Sequence, residues 1–329
     1  MNIIEVDPRE FQRLLPVSYN VFGTADFSEL NRFKCQSVNY LLFKNSKYRL
    51  GLIGGVKNNV FLTPFSAPYG GFSYFSESVR IQHIEEALTK LEQWAAGNNI
   101  TTLKFILPPD FYGSSFIAKQ TNCLYRFGYK NVGNDLNYFF DLNKLHDNYA
   151  DTLWDNARCN LRISKDALLK FEKCTTIEKQ QLAYDIIKRN KEARGYPLHL
   201  SWEQVQDTAR IIPADYFLVR DQDDIPIASA IVFHTSANIA QIIYWGDLRE
   251  FGLLKPMNFM SYSIFDHYKS RGFKIVDLGP STENSVPNYG LCEFKESIGC
   301  DIASKLSFSK YVASSTATVK DEKQAELKV

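Results

Sequence analysis

The stretch Arg249-Glu250-Phe251-Gly252-Leu253-Leu254 stands directly before an apolar stripe, Met257, Ser261, Ile264 and Tyr268, at helical spacing. That spacing predicts a helix over about Leu254 to Ser270, closed by Gly272. A helix N-terminus presents unpaired N–H groups and the positive end of a dipole to whatever precedes it. A phosphate or pyrophosphate suits such a place. The other reading is an ordinary loop that carries a surface Arg249 and a turn Gly252.

Few other chemistries have residues to support them. The six cysteines (Cys35, Cys123, Cys159, Cys174, Cys292 and Cys300) form no CxxC pair and stand at no metal-ligand spacing with histidine, so no metal is expected. They read as reduced thiols of a cytoplasmic protein. The start of the chain, Met1 to Asp7, lacks a basic stretch followed by an apolar one, and no apolar run approaches the ~20 residues that cross a bilayer, so no membrane insertion is expected. A net charge of +1 gives no general electrostatic attraction for nucleic acid, and no DNA partner is expected.

The elements around the phosphate-suited helix occur twice. Strands at 38–43, 48–56 and 60–62, a helix at about 79–96 and a strand at 103–107 precede a short helix near 116–127 and a strand near 136–142. The same order returns with strands at 216–220, 227–233 and 239–245, the helix at 254–270 and a strand at 274–278. A short helix at about 291–298 and a strand near 305–311 complete it. Gly97, Pro108 and Gly128 recur as Gly272, Pro280 and Gly299, about 170–175 residues on, as expected for duplication of a domain-sized unit. The expected fold class is α/β (α+β), with an N-terminal unit over 1–145 and a C-terminal unit over 146–312. Residues 313–329 hold too few apolar side chains to pack and are expected to be disordered.

The loop at Arg249 resembles the Arg/Gln-x-x-Gly-x-Gly/Ala pyrophosphate motif of the GNAT N-acyltransferases, with Leu254 where a small residue is the rule. Downstream, Asp277-Leu278-Gly279, then Tyr289-Gly290-Leu291, then Phe294-Lys295-x-x-Ile298-Gly299 resembles the closing signature of the FemABX-like transferases. Asn288 stands seven residues before Lys295, where a GNAT enzyme has Asn and a general-acid Tyr. Arg158 to Lys165 is similar to the basic segment that opens the second half of FemABX-like proteins. The resemblance implies two tandem GNAT-like units, each a mixed, mainly antiparallel sheet flanked by helices, with the active site in the second. It also implies an enzyme that transfers an acyl or aminoacyl group to an amine.

Under that resemblance the candidate residues take roles. Lys295 supplies charge to an oxyanion or a substrate phosphate, or else is a solvated helix lysine. Asp277 steers or deprotonates the amine, or else caps the turn that follows it. Tyr289 joins them as a catalytic candidate, and Tyr244 and Trp245 line an acyl channel. Arg249, Gly252, Leu253, Leu254 and Asn288 are the candidates for holding the donor. Arg194 and Tyr196 resemble the stretch beside the acceptor site, with His199 where relatives have a further Arg, and Tyr69 and Phe72 of the first unit are read as a wall of the acceptor cleft. The donor is acyl-CoA (acetyl-CoA) on the strength of the Arg249 loop, or aminoacyl-tRNA on the strength of Phe294-Lys295. The acceptor is a small-molecule or peptide amine, a peptidoglycan precursor peptide in the tRNA-using branch. A binding protein that kept the fold without the chemistry is the alternative from a different class.

Overall fold

A computed structural model describes residues 1–16 and 19–312. The expected disorder of 313–329 falls outside the described residues. The described residues form two compact units, one of 1–134 and 305–312, the other of 135–304.

In the first unit β1 (Asn2–Val6) is followed by α1 (Pro8–Leu14), α2 (Ala25–Leu30), β2 (Ser37–Lys44), β3 (Tyr48–Lys57) and β4 (Val60–Thr63). The short β5 (Ser73–Tyr74), α3 (Ile81–Gly97), β6 (Thr102–Ile106) and α4 (Ser114–Arg126) complete this stretch. β1 to β4 form an antiparallel meander, and β6 lies parallel to β4 with Phe61 opposite Leu103. Helix α3 turns Ile84, Ala87, Leu88, Leu91 and Ala95 to this sheet, because apolar residues three and four apart share one face.

In the second unit β7 (Lys130–Asp141, from Asp135 on), α5 (Asp155–Asp166), β8 (Lys170–Lys173), α6 (Ile177–Ala193) and α7 (Trp202–Ala209) lead into the meander β9 (Ala214–Arg220), β10 (Pro226–Ser236) and β11 (Ile239–Asp247). Then come α8 (Pro256–Ser270), β12 (Ile275–Pro280), the small hairpin β13 (Thr282–Glu283) and β14 (Val286–Pro287), α9 (Tyr289–Ser297) and β15 (Asp301–Tyr311). Neighbouring residues of a strand point to opposite faces. On β10, Ser229 Oγ donates to the Ala183 carbonyl of α6, whereas Ala228, Ala230 and Val232 join a core cluster with Met260 and Ile264 of α8. The two helices therefore cover opposite faces of the sheet.

One part of the sequence reading changes. The strand after α4 was expected to close the first unit, and the strand after α9 the second. Instead β7 pairs antiparallel with β12 of the second unit, with Val276 opposite Phe140, while Phe308 of β15 stands opposite Phe105 of β6 in the first. Both closing strands are antiparallel and alternate alike, so their own residues do not specify which neighbour they join. That choice is made by long-range pairing.

Candidate active site

The cleft begins where two strands part. β11 and β12 run parallel through three residue pairs, Ile239–Ile275, Ala240–Val276 and Gln241–Asp277. Beyond them β11 continues to Asp247, with an extra residue, Ile243, between the pairs Ile231–Tyr244 and Val232–Ile242. Such a bulge re-aims the residues that follow it. A cavity of about 540 Å³ opens between Trp245 to Asp247 of β11, the end of α6, and the starts of α8 and α9.

Its lining is divided in character. Trp245 packs edge-on against Phe294 of α9 with ring centres 5.9 Å apart, and Met257 and Leu291 extend this apolar wall. The lining also brings three cations, Lys191, Arg194 and Lys255. Burial, and then the nearby Arg194 charge, lower the affinity of Lys191 for its proton. Its ammonium lies 5.6 Å from the centre of the Tyr196 ring.

The same lining includes Asp247, a residue the sequence reading missed. Its side chain is 14% exposed, and Oδ1 accepts from Arg194 Nη2 at 3.3 Å and from Asn190 Nδ2 at 3.4 Å. Burial pushes its carboxyl above the usual range, against the pull of Arg194. The sequence signal was slight: one carboxylate at the end of an otherwise apolar strand, just after Gly246.

Gly246 is needed here for contact rather than for an unusual backbone. A β-carbon at this position would meet Asn190 Cγ at 2.6 Å, and Asn190 Nδ2 donates to the Asp247 carbonyl at 2.7 Å. Gly246→Ala is therefore expected to displace Asn190 and cost about 1–3 kcal/mol, as overpacking does. Urea denaturation measures it, and an unchanged midpoint would show that Asn190 can yield.

The expected phosphate cradle has a different shape. Arg249–Leu254 is a 3-10 turn, and α8 begins only at Pro256, whose ring nitrogen has no N–H to offer. The N–H of Phe251 donates to Leu248 and that of Lys255 to Gly252, so the turn spends its donors on itself. Proline at the first helical position sets the later start. Lys255 precedes it in the left-handed region at φ 55°. Gly252 lines the cleft and Arg249 an adjoining groove, whereas Leu253 is 83% exposed and Leu254 packs on the core.

Lys295 and Asp277 lie beneath the cleft. The Lys295 ammonium is buried and donates to the carbonyls of Leu278 (2.9 Å), Gly279 (2.9 Å) and Pro280 (3.3 Å). It is neither a solvated helix lysine nor a lining of the cavity. Asp277 is fully buried; Oδ1 accepts from Asn137 Nδ2 and the Gly279 N–H, and Oδ2 from Gln241 Nε2, each at 2.8 Å. Lysine and aspartate thus hold the Gly279 turn, at φ 72°, from its carbonyl and N–H sides.

The remaining candidates divide. Arg194, Tyr196, Trp245 and Asn288 meet around the cavity. Asn288 caps α9 by accepting from the Leu291 N–H at 3.1 Å. Tyr289 is 79% exposed and lines no described cavity, and His199 is exposed as well. Tyr244 points to the opposite face of β11 from Trp245, where burial raises its hydroxyl to about 12. Tyr69 and Phe72, read as a cleft wall, are each 1% exposed inside the first unit. Tyr69 packs on Phe22 and Tyr112, and Phe72 on Phe43 and Phe105, as rings in an apolar stretch most often do. Among the described residues no group of three His, Cys, Asp or Glu could hold a metal ion, and no helix is long and apolar enough to cross a membrane.

With this geometry, comparison with solved structures is informative. FemX superposes with a TM-score of 0.69 over 94% of this chain and 97% of its own, at 12% identity. The chain has a FemX-like, GNAT-type fold. L-PGS from Bacillus licheniformis superposes at 0.58 with 14% identity, covering 95% and 94% of the two chains. A tandem GNAT protein from the clavulanic acid biosynthesis pathway superposes at 0.50 with 12% identity, over 95% and 98%. At these identities the likeness is one of fold, and it agrees with the two tandem GNAT-like units expected from the sequence. No protein-family model matches the sequence, and no curated protein does.

Proposed function

We propose that the second unit transfers an acyl or aminoacyl group to a primary amine by direct attack on an ester or thioester carbonyl. One observation carries this reading: a single cavity joins the apolar wall of Trp245, Phe294 and Met257, the cations Lys191, Arg194 and Lys255, and the half-buried carboxylate of Asp247. Such a transfer needs a place for the acyl chain, charge for a phosphate-bearing carrier or an oxyanion, and a proton acceptor for the amine. FemX shares the fold, which favours the aminoacyl form of the reaction.

The carrier is the finer question. The self-satisfied 3-10 turn at Arg249–Leu254 offers few N–H groups to a pyrophosphate, which favours an aminoacyl-tRNA ester. Acyl-CoA is the second reading, supported by Arg249, which lines the groove adjoining the cleft. Incubating the protein with aminoacyl-tRNA or acetyl-CoA, and a panel of peptide and small-molecule amines, is expected to yield an amide with one donor class. Thermal shift with each donor runs alongside. A donor at 100 times its Kd adds about 2.7 kcal/mol of stability. A thermal shift without any amide product would favour the binding-protein alternative and overturn the enzyme reading.

A further inference from the structure

We infer that Asp247 is the catalytic base of this site, and that the acceptor ammonium reaches it through the adjoining groove by taking the place of Arg194. The inference rests on the transferase reading above. Its basis is position. Asp247 lines both the reaction cleft and a second cavity of about 480 Å³. The wall shared by the two cavities is Asn190, Arg194, Tyr196 and Asp247. The Arg194–Asp247 pair thus stands at the one carboxylate among the described residues that borders both.

The pair is built to exchange. Arg194 caps the end of α6, is 58% exposed and reaches Asp247 through one contact of 3.3 Å. A single contact of an exposed guanidinium group contributes little. An alkylammonium has the same charge and a shorter reach, and can occupy that place. Glu250, whose Oε1 pairs with Arg189 at 3.2 Å in the same groove, supplies a second negative group along the approach. Asn190, by contrast, is buried and fixes the Asp247 backbone, so the carboxylate stays in position while its cation changes.

The proton balance closes without a further reactant. Asp247 takes a proton from the acceptor ammonium and releases it to solvent. The free amine attacks the donor carbonyl and forms the C–N bond. The nitrogen of the tetrahedral intermediate then gives a second proton to the carboxylate, which passes it to the leaving oxygen or sulfur as that bond to carbon breaks. The products are an amide, an alcohol or thiol, and one proton. The titratable and charged groups that line the two cavities beside Asp247 are Arg189 and Lys191 of α6, Arg194 at its C-cap, Tyr196 after it, Arg249 and Glu250 of the turn, and Lys255 before α8. Burial raises the carboxyl of Asp247, which fits a proton acceptor better than an ordinary surface carboxylate.

The test is the pH profile of Asp247→Asn. At pH 7 its kcat is expected to fall 10²–10⁴-fold, the usual contribution of a general base, with donor thermal shift unchanged. Activity should recover as pH approaches that of the free amine, about 10.4 for a lysine-type acceptor, because such an amine needs no base. Arg194→Gln removes the cation that the acceptor must displace, so it should lower the acceptor KM; a raised acceptor KM would overturn the exchange. A wild-type protein that transfers with either donor, together with an Asp247→Asn variant of equal rate and unshifted pH profile, would overturn this inference alone. No transfer by the wild type with any donor would instead remove the reading beneath it.

Discussion

Asp215→Asn is expected to destabilise the second unit by about 3–5 kcal/mol, the cost of breaking a buried ionic cluster from one side. The side chain of Asp215 is 6% exposed. It receives Lys173 Nζ at 2.6 Å on Oδ1, and His234 Nε2 (2.8 Å), Arg271 Nη1 (2.8 Å) and the Tyr268 hydroxyl (2.9 Å) on Oδ2. Asparagine keeps the shape but turns an NH₂ group toward donors and leaves the cations without a counter-charge. For a unit of this size each kcal/mol is worth about 2–4 °C, so Tm should fall by roughly 10 °C. Asp207→Asn, which breaks an exposed pair with Arg210, should stay within about 0.5 kcal/mol. Burial by itself would raise the Asp215 carboxyl, but the hydrogen bonds from His234, Lys173 and Tyr268 outweigh it and hold it well below the usual range. Its contribution is therefore full above the unfolded carboxylate value, about 3.9, and is lost as pH falls below it. The urea-midpoint gap between the wild type and the Asn variant should be full at pH 7 and only begin to narrow by pH 3, because the folded carboxyl takes up its proton well below the usual range. Equal midpoints at pH 7 would mean that the four donors find other partners.

The sequence made the order of elements and the position of the cleft legible, because both rest on local patterns. The helical stripe of α8, the meander before it and the glycines that end each helix are short-range features, and the cavity lies beside the helix start they indicate. The exchange of β7 and β15 was not legible, since pairing partners about 134–209 residues away leave no mark in the alternation of either strand. Nor were the side-chain roles. Asp277 and Lys295 drew attention as charged residues in a motif, yet charge in sequence does not reveal burial, and both prove to be fixing the backbone under the cleft. Asp247 belongs to no motif. It matters because the divergence of β11 from β12 leaves it between two cavities, a property of tertiary structure alone.

Lys295→Ala is expected to lose stability as well as transfer, which sets it apart from a substitution that removes only a reacting group. Without the ammonium, the buried carbonyls of Leu278 and Gly279 and the part-buried carbonyl of Pro280 lose this donor, at about 1–3 kcal/mol for each buried group left unsatisfied, and the lost methylenes leave a cavity. A total of about 3–5 kcal/mol is a conservative expectation, because water can enter and part of the turn can relax. Lys295→Met refills the space without the donor, so it should recover only the packing share. The functional loss follows from what the turn supports. Ser281 comes next after Pro280, and its carbonyl accepts the Asn288 N–H at 2.8 Å, which fixes the start of α9 at the cleft. Both variants should therefore raise KM for the donor more than they lower kcat. A pH dependence separates the charge from the packing. Burial lowers the Lys295 ammonium to about 8, whereas the unfolded chain keeps its proton to about 10.4. Between those values the unfolded state binds more protons, so wild-type stability should rise with pH, and Lys295→Met should lack that rise. Urea midpoints at pH 7.5 and pH 9.5 decide it. A wild type and a Met variant with the same pH slope would show that the three carbonyls fully offset the burial of the ammonium, leaving its proton affinity at the unfolded value.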